Sequence, residues 1–98
     1  MLTSKQRAFL RGLANSYEAI VHVGKGGVGA TIIKQADDAL TARELIKGKV
    51  LETAPETARE VAEQIATESG AEVVMTIGRT FVLYRRHPEE PKIMLPRK

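Results

Sequence analysis

The chain has 98 residues and contains no cysteine and no tryptophan. Without cysteine there is no disulfide framework, no thiol nucleophile and no thiolate metal site. Aromatics are scarce: Phe9, Tyr17, Phe81 and Tyr84 are all there are. That is too few to read as a platform for stacking bases, and Phe9 and Phe81 are expected in the core. The two histidines, His22 and His87, have no carboxylates around them at metal-ligand spacing, so no metal is expected. His22 reads as a structural or surface residue of a strand. No run approaches the ~18 consecutive apolar residues of a membrane span. Arg11 interrupts the apolar stretch near the start, which therefore does not read as a signal peptide. The expectation is a soluble cytoplasmic protein with no membrane contact.

Catalytic constellations are missing as well. Ser4, Ser16 and Ser69 fall near helix ends, where capping accounts for them. Glu56, Glu60 and Glu63 are spaced like the solvated face of a helix, not like an acid–base pair. No catalytic residue is assigned, and a non-enzyme is expected.

What is present is an ordinary globular composition, 43% hydrophobic and 28% charged, in a length that suits one domain. Charge is unevenly placed. Residues 1–50 carry a net +4, residues 51–72 a net −5 and residues 73–98 a net +4. The pattern predicts a basic face for a polyanion and an acidic face turned elsewhere.

Periodicity and end signals give the order α-β-α-β-α-β-β. Thr3 and Gln6 form a capping-box pattern, after which Phe9, Leu10, Leu13 and Ala14 share a helix face. A short strand at 19–23 leads through a glycine loop into a helix from about Gly29 to Thr41. The segment 43–51 alternates, with Ile46, Gly48 and Val50 on one side and Lys47 and Lys49 on the other. Thr53, Pro55 and Glu56 read as the start of a third helix, and Gly70 as its stop. Two strands follow, joined by Gly78-Arg79 in a tight type II′ turn. The two β-α-β links predict parallel relations of strands one with two and two with three. The fold class is α/β (α+β), a four-stranded mixed sheet packed with helices.

The stretch GKGGVGATIIK, residues 24–34, comes close to a phosphate-binding P-loop. Its context is right, since a strand precedes it and a helix follows. Its chemistry is not: Ala30 stands where the loop's lysine reaches the terminal phosphates, and Asp37 and Asp38 lie on the same helix and not at the end of a second strand. No nucleotide cofactor is expected. What remains is Gly24, Lys25, Gly26 and Gly27 at a helix N-terminus, a turn suited to a phosphate by its free amides, its helix dipole and a mobile lysine. A purely structural turn is the alternative. Arg7, Arg11, Lys47, Lys49 and Arg79 are basic, predicted exposed and outside the acidic segment, and complete the candidate phosphate-binding set. Arg85 and Arg86 are secondary candidates, and Lys34 is set aside because Asp38 four residues on pairs with it.

Several pieces together, LTSKQRAFLRGLA, VGKGG, ELIKGKVL, SGAEVV, IGRTFVLYR and KIMLPR, resemble the CRM domain, the chloroplast RNA-splicing and ribosome-maturation module, in its stand-alone bacterial YhbY-type form. The resemblance runs from Leu2 to Arg97, so residues 2–97 are expected to form one CRM domain. It implies a fold similar to the C-terminal domain of translation initiation factor three. It also implies binding to ribosomal RNA in precursors of the large subunit, with a ribosomal protein or assembly factor as a candidate second partner. The family's GxxG loop falls on Gly24 to Gly27 and is similar to the KH-domain loop that clamps an RNA backbone. Three departures stand out: Gly48 where a β-branched residue is usual, GVGA where a Leu-Thr pair is common, and Met75 in place of a frequent Gln. Gly48 reads as a weak point or a bulge in its strand. The competing reading is a protein-interaction module that docks through its acidic third helix.

Overall fold

The structure is a computed structural model that describes residues 2–97. Helix α1, Ser4–Ala14, starts at the expected signal. The Gln6 amide donates to Thr3 Oγ1 at 3.1 Å, and the Thr3 amide donates to Gln6 Oε1 at 3.0 Å. Leu10, Leu13 and Ala14 of the expected stripe face the core, flanked by half-buried Gln6 and Arg7, while Phe9 does not. Phe9 is 39% exposed and lies outside the core, contrary to expectation. Two polar anchors fix this rotation: Gln6 Nε2 donates to the Pro96 carbonyl, and Arg7 donates to the Val73 carbonyl.

The remaining elements follow the expected order: β1 (Val21–Val23), α2 (Ala30–Arg43), β2 (Leu45–Val50), α3 (Ala58–Ser69), β3 (Glu72–Ile77) and β4 (Thr80–Tyr84). They form one four-stranded sheet in the order β1-β2-β4-β3. β1 is parallel to β2, and β4 is antiparallel to both its neighbours. β2 and β3 therefore run the same way, as the β-α-β links predict, and the last strand is inserted between them. Alternation along each strand divides the core in two. Val21, Val23, Ile46, Val50, Phe81 and Leu83 face α2 and α3. Leu45, Val74, Val82 and Tyr84 face α1 and the C-terminal tail.

Two expectations are corrected. α3 begins one turn later than read, with Thr57 as its N-cap and Glu60 closing the capping box. A helix starting at Thr53 would put Ala54 in its first turn, and the residue before a proline is disfavoured there. Glu56 consequently lies outside α3, so Glu56, Glu60 and Glu63 do not share one helix face. Gly48 is not a bulge. The register shift in the sheet falls at Val73 and Met75, while Gly48 pairs directly with Phe81. The Phe81 ring lies where a Cβ of residue 48 would be. The strand gives up a side chain so that a fully buried ring can cross it.

Candidate nucleic-acid interface

The Gly24–Gly27 loop leaves the end of β1 and closes on itself through the Gly27 amide, which donates to the Gly24 carbonyl at 2.9 Å. Lys25 and Gly26, at its tip, are exposed. Gly27 has φ +67°, and a Cβ there would lie 2.8 Å from Glu56 Oε1. The backbone conformation calls for glycine at that position, and a Cβ would also have to displace the Glu56 carboxylate. Gly24 sits against the chain after β2, where a Cβ would be 3.4 Å from Leu51 Cδ1. The loop opens α2, and α2 differs from the other two helices at its start. α1 and α3 each close their first amides with a full capping box, whereas the α2 N-cap, Gly29, supplies no side-chain bond. The amides that begin α2 are thus left to solvent or a ligand, with the positive end of the helix dipole behind them.

The structure sorts the candidate residues into three places. Gly24, Lys25, Gly26, Gly27, Lys49 and Arg79 gather at one end of the sheet. There the Leu51 amide bonds the Val23 carbonyl at 2.8 Å, and the Val50 amide bonds the Arg79 carbonyl at 2.7 Å. Lys49 is exposed and registers with His22 on β1, also exposed. Arg79 makes only a loose ion pair with Glu52, at 3.8 Å. Lys47 and Arg11 lie by the C-terminal end of α1. Lys47 Nζ stands 3.4 Å from the Ala14 carbonyl, and Arg11 is exposed in the last turn. Arg7 belongs to neither group. It is only partly exposed and ties α1 to β3, on the far edge of the sheet from the loop. The expectation that Arg7 is free on the surface is corrected by that bond.

Arg85, a secondary candidate, is an internal fastener. Its guanidinium reaches Asp37 Oδ1 at 2.5 Å, the Ser69 carbonyl at 2.7 Å and Thr41 Oγ1 at 2.7 Å, joining β4 to α2 and α3. Next to it sits a residue the sequence did not single out. Glu44 is 2% exposed and holds φ +65°, an uncommon conformation for a residue with a Cβ. Its carboxylate accepts from the amides of His87 at 3.0 Å, Lys92 at 2.6 Å and Ile93 at 3.0 Å. Burial alone would raise its pKa. The three amides and the nearby His87 outweigh that and hold the carboxyl below its ordinary value. Glu44 thereby fastens the proline-rich tail across the domain. Lys34 pairs with Asp38 at 3.3 Å, as read.

The match to known proteins covers nearly all of the chain. The family profile described as CRS1 / YhbY (CRM) domain matches residues 2–85. The chain belongs to the CRM-domain family. It is 48% identical over 96 residues to Probable RNA-binding protein YqeI of Bacillus subtilis, a match covering 98% of this chain and 100% of that protein. It is 41% identical over 97 residues to an RNA-binding protein of Haemophilus influenzae, covering 99% of this chain and 97% of the other. The solution structure of the hypothetical protein SAV1595 from Staphylococcus aureus superposes with a TM-score of 0.82 at 43% identity, over 98% of this chain and 100% of that one. The three-helix, four-stranded arrangement is thus the fold of this CRM protein. Among its described residues no helix is long and apolar enough to cross a membrane.

Proposed function

We propose that this CRM protein is a non-enzymatic, cytoplasmic RNA-binding factor that grips ribosomal RNA in precursors of the large subunit and assists their assembly. Residues 2–97 act as one unit in this reading, because the tail beyond the family match is fastened through Glu44 and Gln6. The observation that carries it is the exposed Gly24–Gly27 loop with Lys25 at its tip, opening a helix that has no side-chain cap. Backbone amides, a helix dipole and a mobile ammonium converge there, a set suited to successive phosphates. Lys49 and Arg79 extend the positive surface at the same end of the sheet. RNA as the polyanion is supported by the names of the relatives, and ribosomal precursors by the resemblance to the stand-alone bacterial family.

The acidic alternative keeps Glu60 and Glu63 exposed on α3 but is less well supported. Glu56 lies outside α3, Glu60 closes the N-cap, and Glu63 pairs with Arg59 at 3.7 Å. The test is sedimentation of a lysate on sucrose gradients at low and high salt, following this protein. Migration with large-subunit precursors at low salt and release as salt rises is the expected result. Retention at the top of the gradient at low salt refutes the ribosomal assignment.

A further inference from the structure

The segment between α1 and β1 frames an open cleft of about 420 Å³ against the end of α2 and the start of β2. Ser16, Tyr17, Glu18, Ile20, Arg43 and Lys47 line it. Its walls combine flat apolar surface with charge. Tyr17 is 36% exposed and Ile20 38% exposed, so neither side chain is committed to the core. The Lys47 ammonium is held at the rim by the Ala14 carbonyl, where it also offsets the negative end of α1. Arg43 is exposed in the last turn of α2. The Ser16 hydroxyl donates to the Leu13 carbonyl, which leaves its oxygen free to accept, and Glu18 adds a carboxylate acceptor.

A nucleobase with its phosphates matches this set of groups. The aromatic ring offers a stacking surface, the cations face the phosphates, and the acceptors suit N–H groups on a base edge. The cleft also lies in line with the loop. The Ile20 amide bonds the Lys47 carbonyl at 2.9 Å and leads directly into β1. Four residues on is Gly24, about 13 Å away at strand rise. Between them His22 and Lys49 stand in register on the same face of the sheet.

We propose that this cleft receives an unpaired base of a single-stranded RNA segment whose backbone continues along β1 to the Gly24–Gly27 loop. Tyr17 stacks on the base, and Lys47 and Arg43 hold the flanking phosphates. The proposal rests on the RNA-binding reading above and adds what phosphate contacts lack, a means of sensing bases.

The experiment is fluorescence anisotropy on the full chain, with an unstructured ribo-oligonucleotide and its abasic counterpart as probes. Tyr17→Ala is expected to weaken binding of the base-bearing RNA about tenfold while leaving the salt slope unchanged, since stacking displaces no counterions. Tyr17→Phe should keep wild-type affinity, and on the abasic backbone Tyr17→Ala and wild type should bind alike. Thermal melts establish that the variants fold. If Tyr17→Ala binds the base-bearing RNA as wild type does, or loses as much on the abasic probe, the cleft is not a base site. If Lys25→Glu loses binding in that same series, the RNA reading survives without the cleft. If wild type binds neither probe, both fall.

Discussion

At the loop end of the sheet, positive side chains stand in solvent. Lys25 and Lys49 are exposed, and Arg79 has only a 3.8 Å contact with Glu52. At the other end, where α2 runs into β2 beside the end of β4, Arg85 and Glu44 are fully engaged. Arg85 joins three elements through short bonds, and Glu44 takes three amides from the tail. The residue types overlap, but their partners do not. A guanidinium whose donors are taken by Asp37, Ser69 and Thr41 has little left for a phosphate, whereas an unpaired lysine at a loop tip has no internal role to lose. Charge alone does not separate binding surface from scaffold; the state of its hydrogen bonds does.

The largest expected effect is at the engaged end. Glu44→Ala removes the acceptor for the amides of His87, Lys92 and Ile93. The bonds are part-buried, so each donor left unpaired costs about 1 kcal/mol, and a loss of about 3 kcal/mol is expected in urea denaturation. A residue with a Cβ also stays in the φ +65° conformation with nothing to hold it there. A change below about 1 kcal/mol would show that the tail is held by its apolar contacts instead. Next is Gly48→Val, which drives a branched side chain into the Phe81 ring. Overpacking of this kind costs about 1–3 kcal/mol. The double substitution with Phe81→Ala should be less destabilised than the two single effects added together, because the clash is gone. Strict additivity in chemical denaturation would mean that the two positions do not compete for space.

The sharpest form of the comparison sets Arg85→Gln against Lys25→Gln. Arg85→Gln should destabilise by about 2 kcal/mol and leave the salt dependence of RNA binding as it was. Lys25→Gln should leave the melting temperature unchanged and flatten the slope of log affinity against log salt by about 0.7–1. The two substitutions remove the same charge. If Arg85→Gln changes the slope as much as Lys25→Gln does, the division of the surface drawn here is wrong.

The parts of this division that were readable in the sequence are those whose causes are local. The capping box at Thr3 and Gln6, the stop at Gly70, the hairpin at Gly78 and the two faces of β2 each depend on residues within a few positions, and each is found. At Gly78 φ is +57° while Arg79 keeps a negative value, as a type II′ turn requires. The loop at Gly24 to Gly27 was legible for the same reason. What was not legible depends on distant partners. Arg85 looks like any basic residue at a strand end until Asp37, 48 positions earlier, is brought to it. Glu44 acquires its role only from a tail more than 40 positions later. Arg7 looked like a surface cation because nothing nearby in the chain reveals the Val73 carbonyl, and Gly48 like a defect because Phe81 is on another strand. The start of α3 was misplaced for a local reason that could have been weighed, the proline after Ala54.

The smallest expected effect separates the charge of Glu44 from its shape. Because the amides and His87 hold its folded pKa below the ordinary value near 4.5, the unfolded chain binds this proton more readily than the folded one. The carboxylate therefore contributes stability that is fully present above that ordinary value. It is lost as pH falls from there through the lower folded value. Glu44→Gln keeps the side-chain length and one carbonyl acceptor but has no proton to take up. Its melting temperature should start below wild type at neutral pH, and the gap should narrow as the solution is acidified below about 4.5. Glu60 also has a lowered pKa from its capping bonds, but it is present in both chains and cancels in the difference. Lys25→Gln, measured alongside, should track wild type across the whole range, since the loop end makes no use of Glu44. A constant gap between wild type and Glu44→Gln from pH 7 to pH 3 would mean that the tail is gripped by an acceptor of the right shape and not by its charge. The engaged end of the molecule would then differ from the loop end in packing alone.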